Sequence, residues 1–453
     1  MSRCGLGTLE AVATELGVSP PDEDRRLADI VTDSRQPVPG ALFVALRGER
    51  FDGHDFIAQA REAGAAAALV EQVVDDPLPQ LRVPDTRLAL GLLGRARRRV
   101  WGGHLVAVTG NSGKTSVKEL LRSVLEIEGK TLATHANLNN DIGVPLTLLE
   151  LMPHHRHAVL ELGANHLGEI AWTTALAEPQ ATVITNVTGA HVGEFGGMGR
   201  IAQAKAEILA GLTNDGVAVL NRDDAYFPLW SRLAAPREVL DFGFSEAARV
   251  HATELVCDAL GRYAFTLVVD GRTAGRVQLA LLGRHSVANA LAAAAAALAL
   301  GISAGRVVAG LAAAPPLPGR LAVVDGIRGT HVLDDSYNAN PGAVKAALDL
   351  LGEWPGPRWC LLGAMGELGA DADRLHAEVG RYARERGIDM LGTCGAPARP
   401  ACDAFGEGGY HFNDREALTR HVLDHLPPGA SVLVKGSRSA GMEKVVAALR
   451  ADA

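Results

Sequence analysis

The sequence predicts an α/β protein in three domains. These are a small mixed α/β domain over residues 1–100, a central parallel-sheet domain of the P-loop type over 101–315, and a Rossmann-like domain over 316–453. Three observations predict this arrangement. The chain has 453 residues, enough for about three domains at roughly 150 residues each. Apolar strand-like runs alternate with helical stretches through its middle and end, the pattern of a parallel sheet covered on both faces. A glycine-rich turn also stands between an apolar strand and a helix, at residues 104–116.

In the first segment, residues 41–46 and 66–70 read as short buried strands, with helices over 54–63 and 86–99. The run Arg95-Ala96-Arg97-Arg98-Arg99 reads as a solvated helix end, where cations suit the macrodipole. In the second, strands are expected at 104–109, 158–162, 182–186 and 217–221, and a helix over 199–212. From 263 to 281 the pattern becomes alternating about Asp270-Gly271, a hairpin signal. A helix follows over 285–300. The alanine-rich run 291–302 is too short to cross a bilayer and reads as a buried helix. Pro315, Pro316 and Pro318 mark a linker before Gly319-Arg320. The third segment shows strands at 331–335, 359–363, 390–394 and 431–435, and helices at 341–351, 371–386, 414–425 and 440–450. It lacks a G-x-G-x-x-G turn.

Hydrophobic residues make up 47% of the chain and charged residues 21%, so a sizeable core can form. With 44 basic against 52 acidic residues the net charge is -8, which argues against a general nucleic-acid binder but leaves room for a local phosphate site. Five cysteines (Cys4, Cys257, Cys360, Cys394, Cys402) include no C-x-x-C, so neither a disulfide framework nor a zinc knuckle is indicated. The N-terminus lacks the apolar run of a signal peptide. A reduced, cytoplasmic protein without membrane insertion is expected, and nothing demands more than a monomer.

The strongest local pattern is Val108-Thr109-Gly110-Asn111-Ser112-Gly113-Lys114-Thr115-Ser116. Glycines let backbone N–H groups converge on phosphate oxygens, and the following helix N-terminus adds a positive dipole. Lys114 would neutralise the β/γ-phosphates and the Thr115 hydroxyl would ligate Mg²⁺. The loop is short: the position five before Gly113, a glycine in the usual Walker pattern, is Val108. Glu161 ends an apolar strand, where a carboxylate lies in the ligand crevice of a parallel sheet and suits Mg²⁺. His191 follows the next strand end. Lys205 lies amid a helix and, taken alone, reads as part of a solvated face.

Together, this shortened loop, Glu161, His191 and Lys205 resemble the Mur ligase superfamily. Other segments carry the resemblance along essentially the whole chain: Thr32-Asp33-Ser34-Arg35, Asn137-Leu138-Asn139-Asn140-Asp141-Ile142-Gly143, Gly283-Arg284-His285-Ser286-Val287-Ala288-Asn289, Asp335-Ser336-Tyr337-Asn338-Ala339-Asn340-Pro341 and Lys435-Gly436-Ser437-Arg438. The resemblance is to the branch that adds D-alanyl-D-alanine to UDP-N-acetylmuramoyl-tripeptide in peptidoglycan precursor synthesis.

That resemblance implies roles. The loop from Thr109 to Ser116 would hold ATP, with Asn289 on the adenine, Arg320 reaching the phosphates and Asp335 near the ribose. Thr115 and Glu161 would hold one Mg²⁺ and His191 would serve a second. Lys205 matches the superfamily lysine that CO₂ carbamylates, which turns a repelling ammonium into an anionic oxygen ligand. Lys114, Glu161, His191 and Lys205 would form the catalytic set. Ser34, Arg35, Asn139 and Asn140 are expected at the UDP-substrate, and Asn338, Asn340 and Ser437 at the dipeptide. The third domain would swing over the central one to complete the site. Two positions depart from the branch: Ala364 stands where an aspartate is usual, and Ser286 where asparagine is common. The rival readings are a sister ligase adding a single amino acid, and a nucleotide-binding regulatory protein without catalysis.

Overall fold

Short apolar runs in the first hundred residues pair into a parallel four-stranded sheet, ordered Ile30–Val31, Leu42–Val44, Ala67–Val70, Gln80–Arg82. The computed structural model describes residues 7–19, 23–35, 39–48, 51–187, 197–366 and 368–452. The helix expected over 54–63 divides into a 3-10 turn, Gly53–Phe56, and a helix, Ile57–Glu62. Asp52 tightens that first turn by accepting the His54 N–H at 3.0 Å.

The helix Thr86–Trp101 starts where the Asp85 carboxylate accepts the N–H groups of Arg87 and Leu88, both at 2.8 Å, and stops at left-handed Gly102. Its basic end corrects the sequence reading: Arg97 and Arg98 are buried, 6% and 3% exposed. Arg97 donates to the Leu151 carbonyl. Arg98 Nε donates to the Ala177 carbonyl at 2.8 Å, and its Nη2 to Gln180 Oε1 at 3.1 Å. These carbonyls lie at or just past the ends of the central-sheet helices Gly143–Leu149 and Glu169–Ala177. C-terminal carbonyls lack intrahelical donors, and the two guanidiniums supply them. Only Arg99 of the run faces water, paired with Glu178 at 2.5 Å. Replacing Arg98 with Met strands those acceptors. It should lower unfolding free energy by about 2 kcal/mol in chemical denaturation; an unchanged midpoint would show that the guanidinium holds nothing.

The central sheet has nine strands. Their order is Arg272–Leu282, Arg262–Val269, Val250–Cys257, Glu238–Gly243, Val217–Asn221, Ala181–Ile184, His104–Thr109, His157–Glu161, Thr131–Ala133. The pairs from Val250–Cys257 to Thr131–Ala133 are all parallel. The hairpin turns at Asp270-Gly271, with φ of 47° and 73°, the double left-handed geometry that matches strand twist. The helix Arg284–Ala299 lies on the Lys114–Leu125 helix, and its residues Ala290 to Ala297 are all within 1% of complete burial. Among the described residues no helix is long and apolar enough to cross a membrane.

His157 begins the strand beside His104–Thr109. Its ring is buried, stacked on His104 at 5.9 Å, and neither ring nitrogen has a hydrogen-bond partner among the described residues. Burial, with the Arg156 guanidinium and the neighbouring His104 ring against the pull of Glu128, pushes its pKa down to about 4. The unfolded imidazole, near 6.5, therefore binds a proton that the folded one refuses, so stability falls as pH drops from about 6.5 to about 4. His157→Phe should flatten this window by about 2 kcal/mol relative to wild type in urea titrations at pH 7 and pH 5. Equal pH slopes would exclude His157 as the source.

The third sheet has six strands: Ala322–Asp325, His331–Asp335, Ser431–Lys435, Arg358–Gly363, Met390–Cys394, Gly409–Phe412. Its first pair is antiparallel and the rest parallel. The last helix begins later than the sequence suggested, at Glu443, because Gly441 is left-handed after a 3-10 turn. This domain docks on the hairpin of the central sheet. Leu260 and Leu282 share a buried cluster with Leu348, Leu351 and Trp354, and Trp354 Nε1 donates to the Leu260 carbonyl at 3.2 Å.

Candidate active site

The strand His104–Thr109 sits where strand order reverses, flanked by Ala181–Ile184 and His157–Glu161. Loops leaving the carboxyl ends of these strands meet in one crevice. The turn after Thr109 is built for close approach. A Cβ on Gly110, φ 145°, would fall 1.9 Å from Thr185 Oγ1; one on Gly113, φ 83°, would fall 2.3 Å from Asn289 Oδ1. Both glycines are therefore required by space as well as by backbone conformation. Thr185 and Asn186 brace the loop: Thr185 Oγ1 donates to the Ser112 carbonyl at 2.7 Å, and Ser112 N–H donates to Asn186 Oδ1 at 3.1 Å. Sequence reading missed both residues, although they end an apolar strand next to the loop strand. Lys114 begins the helix and folds back, its Nζ 2.9 Å from the Gly110 carbonyl. Thr109 Oγ1 donates to the Leu162 carbonyl at 2.8 Å, tying the loop strand to the Glu161 strand.

Glu161 is buried and divided between two donors. Thr115 Oγ1 donates to its Oε2 at 2.8 Å and Asn139 Nδ2 to its Oε1 at 2.9 Å. One hydroxyl and one carboxylate converging beside a phosphate-type loop are a donor set that fits Mg²⁺, which keeps several waters and takes its other ligands from substrate phosphates. Asn139 thus lies beside Glu161. Asn140 Oδ1 accepts the Gly143 N–H at 2.8 Å, holding the start of the Gly143–Leu149 helix.

Lys205 lies at the end of the helix Met198–Ala206 and is 5% exposed. This overturns its reading as a solvated face: the side chain is buried on a helix whose Ile201, Ala202 and Ala204 are buried too. Two residues on, Glu207 accepts the Gly168 N–H at 2.7 Å, joining the Lys205 segment to the loop after Glu161. His191 lies outside the described residues.

From the third domain, Arg320 crosses to the loop helix. Its Nη2 donates to Thr115 Oγ1 at 3.1 Å. Asp335 and Lys435 face each other across adjacent strands as a buried ion pair, and Lys435 Nζ also donates to the Asn338 carbonyl at 2.9 Å.

The sequence of this crevice and its flanks matches three domain families: "Mur ligase family, catalytic domain" over residues 27–98, "Mur ligase middle domain" over 108–297, and "Mur ligase, glutamate ligase domain" over 319–438. It is 45% identical over 430 residues to the UDP-N-acetylmuramoyl-tripeptide--D-alanyl-D-alanine ligase of Escherichia coli, covering 94% of each chain. The chain belongs to the Mur ligase family, in its MurF group. A crystal structure of MurF from Acinetobacter baumannii superposes with a TM-score of 0.88 at 37% identity, covering 96% of this chain and 97% of that one. MurF from Thermotoga maritima, in complex with ADP, gives 0.80 at 28% identity, covering 93% and 96%.

The remaining expected residues of this Mur ligase are spread over two domains. Ser34 and Arg35 follow the Ile30–Val31 strand; Ser34 Oγ donates to Gln59 Oε1 at 3.0 Å, and Arg35 pairs with Asp33 at 2.8 Å. That guanidinium holds the Asp33 carboxyl down at about 2. Asn340 caps the helix Pro341–Gly352, its Oδ1 accepting the Ala343 N–H at 2.9 Å. Ser437 is buried, and its N–H donates to the Ala364 carbonyl at 2.9 Å. The loop at Ala364 is thus held through its backbone, helped by His376, whose Nε2 accepts the Met365 N–H at 3.0 Å. Ser286 Oγ turns back to the Leu282 carbonyl at 2.6 Å.

Proposed function

We infer that this chain joins D-alanyl-D-alanine to UDP-N-acetylmuramoyl-tripeptide with cleavage of ATP, a cytoplasmic step of peptidoglycan precursor synthesis. The observation that carries this reading is the Lys114–Thr115–Glu161 arrangement at the strand-order reversal, in a chain 45% identical end to end to a ligase of that name. The chain's part in the reaction is positioning and electrostatics. The tripeptide carboxylate attacks the γ-phosphorus, the bond to the bridging oxygen breaks and ADP leaves, giving an acyl phosphate. The dipeptide amine then attacks the acyl carbon, the C–N bond forms, the C–O bond to phosphate breaks, and phosphate and the amine proton leave.

Lys114 releases the Gly110 carbonyl and turns to the β/γ-phosphates, while the N–H groups at the start of the Lys114–Leu125 helix cradle them. Arg320 adds a second cation from the third domain, and Asn289, packed against Gly113, is assigned to the adenine. Thr115 and Glu161 would hold Mg²⁺, with His191 serving a second ion; bound there, the metal offsets charge on the transferring phosphoryl group. Lys205 as a carbamate would supply an anionic oxygen ligand beside them. Asp335, buried against Lys435, is assigned to the ribose. Ser34, Arg35, Asn139 and Asn140 are assigned to the UDP-substrate, and Asn338, Asn340 and Ser437 to the dipeptide. The domains are taken as 1–100, 101–315 and 316–453, acting as a monomer.

Phosphate release from ATP with Mg²⁺, UDP-N-acetylmuramoyl-tripeptide and D-alanyl-D-alanine tests the function. Release is expected only when all are present, with the amide product found by mass. Release with a single amino acid in place of the dipeptide would make the chain a sister ligase. No release with any pair would leave the regulatory reading.

A further inference from the structure

Arg320 is held by more than its bond to Thr115. Its guanidinium carbon lies 4.2 Å from the centroid of the Tyr337 ring, close enough for a strong cation–π contact. The backbone on both sides is left-handed: Gly319 has φ 72° and Leu321 has φ 53°. A positive φ at leucine costs energy that the surroundings must offset. They do so around Tyr337. Its N–H donates to the Gly319 carbonyl at 3.1 Å, and the Gly319 N–H donates to buried Asp334 Oδ2 at 2.9 Å. A Cβ on Gly319 would lie 3.0 Å from that of Tyr337, so the backbone at Tyr337 packs closely on this turn. Leu321 is buried in the cluster with Leu282 and Leu333. Arg320 Nε, buried, has no hydrogen-bond partner among the described residues. The ring face is thus a main support of the part of the guanidinium that does not reach Thr115.

We propose that Tyr337 is the positioning residue for Arg320: its ring is the shelf that holds this guanidinium at the mouth of the phosphate loop. The strained turn at Gly319 and Leu321 aims the side chain across the domain boundary, and the ring removes most of its freedom to swing. Arg438, 5.7 Å from the same ring centroid, has a carboxylate of its own in Glu443 at 3.6 Å. That leaves Arg320 as the cation of the pair directed at the nucleotide. The hydroxyl of Tyr337 plays no part, so the ring face alone is required. The inference rests on Arg320 reaching the ATP phosphates, and its test separates the two.

The test is a double-mutant cycle of Tyr337→Leu with Arg320→Ala, read both in kcat and in the dissociation constant of a non-hydrolysable ATP analogue, with melting of each variant checked first. In the wild-type background Tyr337→Leu should weaken analogue binding and lower kcat, each by about tenfold. In the Arg320→Ala background it should change neither. Tyr337→Phe should stay within about threefold of wild type, since the ring face is kept. Pentafluorophenylalanine at 337 keeps the shape but reverses the ring quadrupole, and should fall to the level of the leucine variant; this comparison stands even where leucine prevents folding. Losses that add in the cycle, or equal behaviour of phenylalanine and its pentafluoro form, would overturn the shelf. An Arg320→Ala enzyme that binds the analogue and turns over as wild type would overturn the reading of Arg320 itself, and the shelf with it.

Discussion

Lys114→Ala should lower ATP-dependent amide formation by about a hundredfold to a thousandfold while the protein melts where the wild type does. The size follows from what the residue does. A cation preorganised against the phosphoryl group acts where water is excluded, and removing one such donor typically costs about 10²–10³ in kcat. Lys114 is also the only lysine of the loop at residues 109–116. The unchanged melting follows from its surroundings. The side chain is half-buried, and its Nζ donates to the loop's own carbonyls at Gly110 and Asn111, 2.9 and 3.4 Å away. Steady-state phosphate release beside a calorimetric melt decides the matter; turnover within tenfold of wild type in a folded variant would remove Lys114 from the phosphate site.

Lys205→Ala should be inactive, by at least about a hundredfold, and should partly recover when formate or acetate is added at high concentration. Lys205 is 5% exposed, and its segment is joined through Glu207 to the loop after Glu161. The proposed carbamate would invert the sign of that end group and make it an anionic oxygen ligand. Alanine leaves both a missing anion and the space for one, so a small carboxylate can enter. Chloride at equal ionic strength is the control. Full activity of the variant, or rescue by chloride equal to that by formate, would eliminate the carbamate.

How far these roles could be read in advance differs from residue to residue. The loop from Gly110 to Ser116 was legible because its chemistry is local: two glycines, a lysine and a threonine between a strand and a helix. Glu161 was legible because it closes an apolar strand. Lys205 was not. One lysine among alanines has no sequence mark of burial, and only the family resemblance lifted it. Arg97 and Arg98 misled for the same reason. A basic helix end suits water and helix dipole alike, and what distinguished them was the pair of carbonyl-bearing helix ends brought against them from residues 143–177. Asn140 and Asn340 carry capping duties that their motifs did not announce, since an amide oxygen caps a helix as readily as it binds a ligand. Thr185 and Asn186 were missed because bracing a loop requires only proximity.

The sequence by itself determined the α/β class, the hairpin at Asp270-Gly271, the strands His104–Thr109, Val217–Asn221, His331–Asp335, Met390–Cys394 and Ser431–Lys435, and the place of the phosphate loop. Each of these is set by neighbours along the chain: side-chain period, glycine conformation and turn chemistry. The short strands Ile30–Val31, Gln80–Arg82, Thr131–Ala133 and Gly409–Phe412 were decided by the sheets that receive them, because two to four residues carry too little period to declare themselves. The same holds for the site. Thr115 meets Glu161 and Arg320, and Glu161 meets Asn139, only when residues separated by up to 205 positions are folded onto one crevice, and no local pattern encodes a contact of that span.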